Sequence, residues 1–86
     1  MPDKPLSEVR NIGPKTLTWL HEIGVYTLSD LEDLGAVEVY KRLKASRPHQ
    51  VSLNALWGLQ AAILNIHWNA LPPEMKAELR AQVEDL

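Results

Sequence analysis

The sequence contains no cysteine and no phenylalanine. Without cysteine there are no disulfides, thiolate metal sites or cysteine nucleophiles, which fits a reducing compartment. Without phenylalanine the apolar residues are mostly Leu, Val, Ile and Ala, a set suited to packed helices, and β-branched runs of period two are missing as well. No stretch approaches the roughly 18 apolar residues that a membrane helix needs. The opening "MPDKPLSE" has no apolar signal core, so cytoplasmic residence and no membrane partner are expected. Positive charge is also short: the net charge is −2 and the pI about 5.8. Each neutralised phosphate needs a Lys or Arg, so this balance counts against broad nucleic-acid affinity while leaving room for a local basic face.

What is present in these 86 residues, 45% of them hydrophobic, suffices for one domain with a core. Its organising feature is a repeat. "LSEVRNIG" (6–13) aligns without a gap on "LSDLEDLG" (28–35), an offset of 22 residues (28 minus 6). The spacing predicts a short helix from Leu6 to Ile12, with Leu6, Val9 and Ile12 on one side. Gly13 ends it, and Pro14 opens a second helix to about Glu22, with Leu17 and Leu20 inward and Gly24 as a left-handed cap. A third helix is capped by Thr27 or Ser29, the pair Ser29 and Glu32 having capping-box spacing, and stops near Gly35. A fourth covers about Ala36 to Ala45 and buries Val39, Tyr40 and Leu43. Each copy thus reads as helix, tight glycine turn, helix, and two copies about a pseudo-two-fold axis can bury each other's apolar side.

After the break "SRPHQ", Ser52 is expected to cap a longer helix through about Ile66, with Leu53, Leu56, Trp57 and Leu64 on its inner face. Gly58 costs about 1 kcal/mol there relative to Ala, tolerable where another element crosses closely. The connector "HWNALPPEM" leads to a last helix, about Pro72 to Glu84, with a stripe of Met75, Leu79 and Val83; Leu86 belongs to a frayed end. The expectation is an all-α domain of five or six helices: a loose start at 1–5, a double helical hairpin at 6–47 and a helical pair at 52–86.

"RNIGPKTLTWLHEIG" carries the first candidate site. Free backbone N–H groups and the positive end of a helix dipole converge at such a turn and suit a phosphate. The positions are Asn11, the amides of Ile12, Gly13, Lys15 and Thr16, the Lys15 ammonium and the Thr16 hydroxyl. Asn11 tolerates the left-handed backbone that the turn needs. The second turn is anion-averse, flanked by Asp33 and Glu38. A denser basic run, "YKRLKASR", offers Lys41, Arg42, Lys44 and Arg47 to a phosphate backbone or an acidic protein; the competing reading is a solvated helix face. Trp19 and Trp68 are candidate protein-contact anchors, although Trp68 also sits where it could pin the connector in the core. His21, His49 and His67 lie apart with no carboxylate at ligand spacing, so neither metal nor cofactor is expected, and nothing supports catalysis.

The "NIG-PK" turn and its repeat resemble the helix-hairpin-helix family, with Asn11 in place of the usual first glycine. Beyond the turns, "NIGPKT", "LGAVEVYKRL", "VSLNALWGL" and "HWNALPPEMKAEL" together resemble the C-terminal domain of the TfoX/Sxy family, bacterial regulators of competence and DNA uptake. The likeness covers Leu6 to Leu79. It implies a non-enzymatic role in transcription, alongside an activator of the cyclic-AMP-receptor type. Full-length members also carry an N-terminal α+β domain that these residues lack, so a stand-alone or excised copy of the C-terminal part is expected. The reading is therefore a regulatory module acting through protein contacts with the transcription machinery or by self-association, with auxiliary DNA-phosphate contact. The alternative is direct DNA binding through the first turn and the 40–47 patch.

Overall fold

The computed structural model describes residues 4–84. Among these are five α-helices, α1 (Pro14–Glu22), α2 (Leu28–Leu34), α3 (Ala36–Ser46), α4 (Leu53–Leu64) and α5 (Pro73–Val83), with 3-10 turns at Leu6–Glu8 and Trp68–Ala70 and no strand. None of these helices is long and apolar enough to cross a membrane. The ends of the chain, including the first three residues of the loose start expected at 1–5 and Leu86, lie outside the described residues.

Helix boundaries follow from local chemistry. Proline opens α1 at its first position, where its missing N–H costs nothing. Gly24 closes it at φ +84°: the Gly24 amide donates to the His21 carbonyl and the Val25 amide to that of Leu20, 3.1 and 2.9 Å, satisfying two orphan carbonyls. Asn65 repeats this device after α4 at φ +58°, with bonds from Asn65 to Ala62 and from Ile66 to Ala61. The helix therefore stops at Leu64, short of the Ile66 that hydrophobic spacing suggested. Gly35 alone separates α2 from α3, at φ +84° and ψ 155°, a conformation reserved for glycine.

The two copies of the repeat do not share one conformation. In the second, Thr27 and Asp30 form a reciprocal capping box: the Asp30 amide donates to the Thr27 hydroxyl, and the Thr27 amide to the Asp30 carboxylate. This replaces the expected pairing of Ser29 with Glu32. In the first copy the matching residues are Pro5 and Glu8. Proline has neither hydroxyl nor N–H, so no such box can form, and only a three-residue 3-10 turn appears where a helix to Ile12 was expected. Val9 is already extended, and Asn11 takes φ +73° where its counterpart Asp33 is helical.

A local two-fold relation survives at the start of each copy. The Leu6 amide donates to the Tyr26 carbonyl at 3.2 Å, and the Leu28 amide to the Lys4 carbonyl at 2.9 Å, flanking an antiparallel bridge of Pro5 with Thr27. Each partner in one bond is the other's counterpart at the offset of 22. Equivalent segments of the repeat thus pair with one another, and Lys4 and Pro5 are fixed rather than loose. The apolar faces, however, are not closed by the two copies alone. Helix α4 packs against α2, α3, α5 and the Trp68–Ala70 turn, and Leu56 and Leu59 from it join Leu6, Leu20, Leu31 and Leu43 as fully buried core leucines.

Candidate interaction surface

The first glycine turn is held from behind. Asn11 donates from Nδ2 to the Ile66 carbonyl at 2.7 Å and accepts the Trp68 amide on Oδ1 at 3.1 Å. Its left-handed backbone turns the side chain away from the α1 N-terminus toward the connector after α4. Its own carbonyl oxygen approaches α4 closely, 3.4 Å from where a Cβ on Gly58 would lie. The element that Gly58 admits is thus the backbone of the first turn. Asn11, Gly58 and Ile66 form one structural joint whose parts are 8 to 55 residues apart along the chain, which is why sequence spacing could not join them.

In front of the joint, Gly13 is extended and α1 begins with no side-chain cap, and the first turn of this nine-residue helix carries the exposed Lys15 and the half-buried Thr16. The Lys15 ammonium lies 5.9 Å from the centre of the Trp19 ring. Trp19 is only 9% exposed and belongs to the core cluster, so it is not a surface anchor. The reason is that it fills the space between α1 and the α3 C-terminus, under the Arg47 guanidinium at 5.8 Å from its ring centre.

The basic run is dispersed by its own partners. Arg42 pairs with Glu38 one turn back on α3 at 2.9 Å. Lys44 donates to the carbonyls of Pro48 and Val51 at 2.9 and 2.7 Å, stapling the loop into α4. Arg47 holds Glu22 through Nε and Nη2, at 2.7 to 3.0 Å, and gives Nη1 to Gln50 at 2.9 Å. Of the four cations only Lys41 has neither an ion pair nor a side-chain hydrogen bond among the described residues. Lys15 and Arg47 do meet around Trp19, but Arg47 brings Glu22 with it, and the patch expected at 40–47 does not form one face of open positive charge.

The hydrogen bond from Arg47, together with its charge, holds the Glu22 carboxyl below the usual value near 4.5, and Glu22 in turn raises Arg47. Asp30 is lowered chiefly by the Tyr26 amide and also by the bonds from Thr27. A carboxyl whose value falls on folding stabilises the fold above its unfolded value, and this contribution is lost as pH drops through the folded value. Stability should therefore decline in acid, beginning near pH 4.5. Glu22→Gln is expected to be less stable than wild type at pH 7, and the gap to narrow as pH is lowered from 4.5 to 3, as measured by urea denaturation. An unchanged gap between pH 7 and pH 3 would contradict the ion-pair account.

The large apolar residues left exposed are Trp68 (47%), Leu64 (42%) and Tyr26 (55%). Trp68 was expected either as an anchor or as a core pin; it is at the surface, with its ring 5.9 Å from that of His67 and its backbone tied to Asn11. Leu64 was placed on the inner face by spacing, and its exposure follows from the chain leaving α4 at Asn65. Trp57, expected in the core, is only partly buried against it. Among the described residues no group of three or more His, Asp or Glu is placed to hold a metal.

Five helices, with the two copies of the repeat paired at their starts, define a small all-α domain. The chain belongs to the TfoX C-terminal domain family, whose model matches residues 2–83, and this is a non-enzymatic domain family. Two crystal structures from Listeria monocytogenes are similar to it. One, of an uncharacterized protein in a triclinic form, has 32% identity and a TM-score of 0.83, over 88% of this chain and 85% of that one. The other, of a protein of unknown function in a tetragonal form, has 32% identity and a TM-score of 0.82, over 87% and 90%. Among curated proteins none matches the chain.

Proposed function

We propose that this domain is a non-enzymatic, cytoplasmic interaction module of TfoX-type regulation of competence and transcription, acting through protein contacts at its Trp68 end. The observation that carries the reading is the exposed Trp68, four residues after exposed Leu64 and fixed in place by the Asn11 carboxamide. A residue whose backbone is already held has less freedom to lose on binding, which favours it as an anchor. The internal pairing of Arg42, Lys44 and Arg47 leaves DNA at most an auxiliary role through Lys15, Thr16 and the Gly13 turn. The direct DNA-binding reading keeps one supporting observation, the uncapped first turn of α1 beside the Lys15 ammonium.

The test separates the two. Binding to a purified activator of the cyclic-AMP-receptor type and to RNA polymerase is followed by biolayer interferometry, self-association by sedimentation, and DNA binding by gel shift at low salt. Trp68→Ala is expected to weaken protein or self-association at least tenfold with little change in melting temperature, and Lys15→Glu to leave it intact. A DNA shift abolished by Lys15→Glu, with Trp68→Ala silent throughout, would establish the DNA-binding reading instead.

A further inference from the structure

Helices α4 and α5 leave an open groove of about 490 Å³, lined by Trp57, Pro73, Lys76, Ala77, Arg80 and Glu84 and not by Trp68. Its floor is the partly buried Trp57, and the Lys76 ammonium lies 5.9 Å from the centre of that ring. Lys76 and Arg80 are one turn apart on α5 and therefore share a side of the helix. Arg80 reaches Glu84 at 3.4 Å, with 62% and 61% of the two side chains exposed, an ion pair that water and salt weaken and another carboxylate can replace. The groove thus sets an indole beside two cations and one carboxylate, a net positive lining on a protein of net charge −2.

We infer that this groove is a docking site for an acidic segment of a partner protein, one that sets an apolar side chain on Trp57 and carboxylates on Lys76 and Arg80. Charge complementarity selects this occupant. Short acidic motifs need only one or two cations beside an apolar seat. A nucleic-acid backbone, by contrast, runs on past the groove and needs further cations along its path, which α5, with Glu74, Glu78 and Glu84 around Lys76 and Arg80, does not supply. In the free protein Glu84 occupies Arg80 in the position that the partner's carboxylate takes.

This site is independent of the Trp68 surface, and the experiment keeps the two apart. Nitrogen-15 spectra of the full chain are recorded with a twelve-residue peptide alternating Asp or Glu with Leu, with its Lys-for-acid counterpart, and with a single-stranded oligonucleotide. The acidic peptide is expected to shift the Trp57 indole signal but not that of Trp68. Lys76→Glu and Arg80→Glu should each weaken its binding at least tenfold, and Glu84→Gln should tighten it about threefold. Trp68→Ala should change nothing here. All four positions are at least partly exposed, so the variants fold, and wild-type-like spectra verify this. No Trp57 shift at millimolar acidic peptide, shifts indifferent to the charge reversals, or a shift caused by the oligonucleotide or the basic peptide in preference would each overturn the inference.

Discussion

Leu56→Ala should lower the unfolding free energy by roughly 2–5 kcal/mol, the range for truncating a fully buried leucine. Leu56 has no exposed surface and lies on α4, the helix that α2, α3 and α5 all touch. The cavity left by the lost methyl groups would open at the meeting point of several elements, so no single helix can shift to fill it. A domain of this length has a total stability of roughly 4–13 kcal/mol, so the loss is a large fraction of the whole. Leu64→Ala, on the same helix, is the internal control. With Leu64 at 42% exposure the change should stay within about 0.5 kcal/mol. Urea denaturation with an unchanged slope measures both. A loss below about 1 kcal/mol for Leu56→Ala would mean that α4 is not the centre of the core.

Asn11→Ala is the second large effect, expected at about 2–5 kcal/mol. Two terms combine. The carboxamide makes two long-range hydrogen bonds, to the Ile66 carbonyl and from the Trp68 amide, worth about 0.5–1.5 kcal/mol each. The backbone at φ +73° is a left-handed conformation that costs a residue with an ordinary side chain about 1–2 kcal/mol. Asn11→Gly separates them, because glycine adopts the backbone freely but cannot make the bonds. The expected order of stability is Asn, then Gly, then Ala, with faster amide hydrogen exchange at Trp68 in both variants. If Asn11→Gly were as stable as wild type with Trp68 exchange unchanged, the joint between the first turn and the connector would have no energetic weight.

The interaction reading depends on this joint. The same carboxamide that shapes the turn also presents Trp68, so Asn11→Gly should loosen the proposed protein-contact surface while leaving the α1 first turn and Lys15 in place. Binding that falls with Asn11→Gly and with Trp68→Ala alike would mark the fixed indole as the anchor.

Much of the helical plan was legible in the residues. Pro14 and Gly24 bracket α1, and Gly35 divides α2 from α3, because each has a backbone constraint that no neighbour can override. The conjunction of "NIGPKT", "LGAVEVYKRL", "VSLNALWGL" and "HWNALPPEMKAEL" pointed to the family that the matched model shows. The offset of 22 was legible too, and it resurfaces as the paired bonds of Leu6 with Tyr26 and of Leu28 with Lys4. The likeness of the two octapeptides nonetheless concealed their difference. The deciding pair, Pro5 against Thr27, stands one residue before the repeat begins.

What the sequence alone determined, then, is local: which segments coil, where proline and glycine interrupt them, and that one small helical domain results. These outcomes depend on interactions within a few residues. Tertiary structure decided the assignment of side chains to roles. It turned Lys44 and Arg47 from a basic patch into staples, by supplying the carbonyls of Pro48 and Val51 and the carboxylate of Glu22. It buried Trp19, left Trp68 in solvent, and gave Asn11 partners 55 and 57 residues away. A charge or an indole carries no mark of its partner; whether it faces water, a carbonyl or an acid is settled only when distant segments meet.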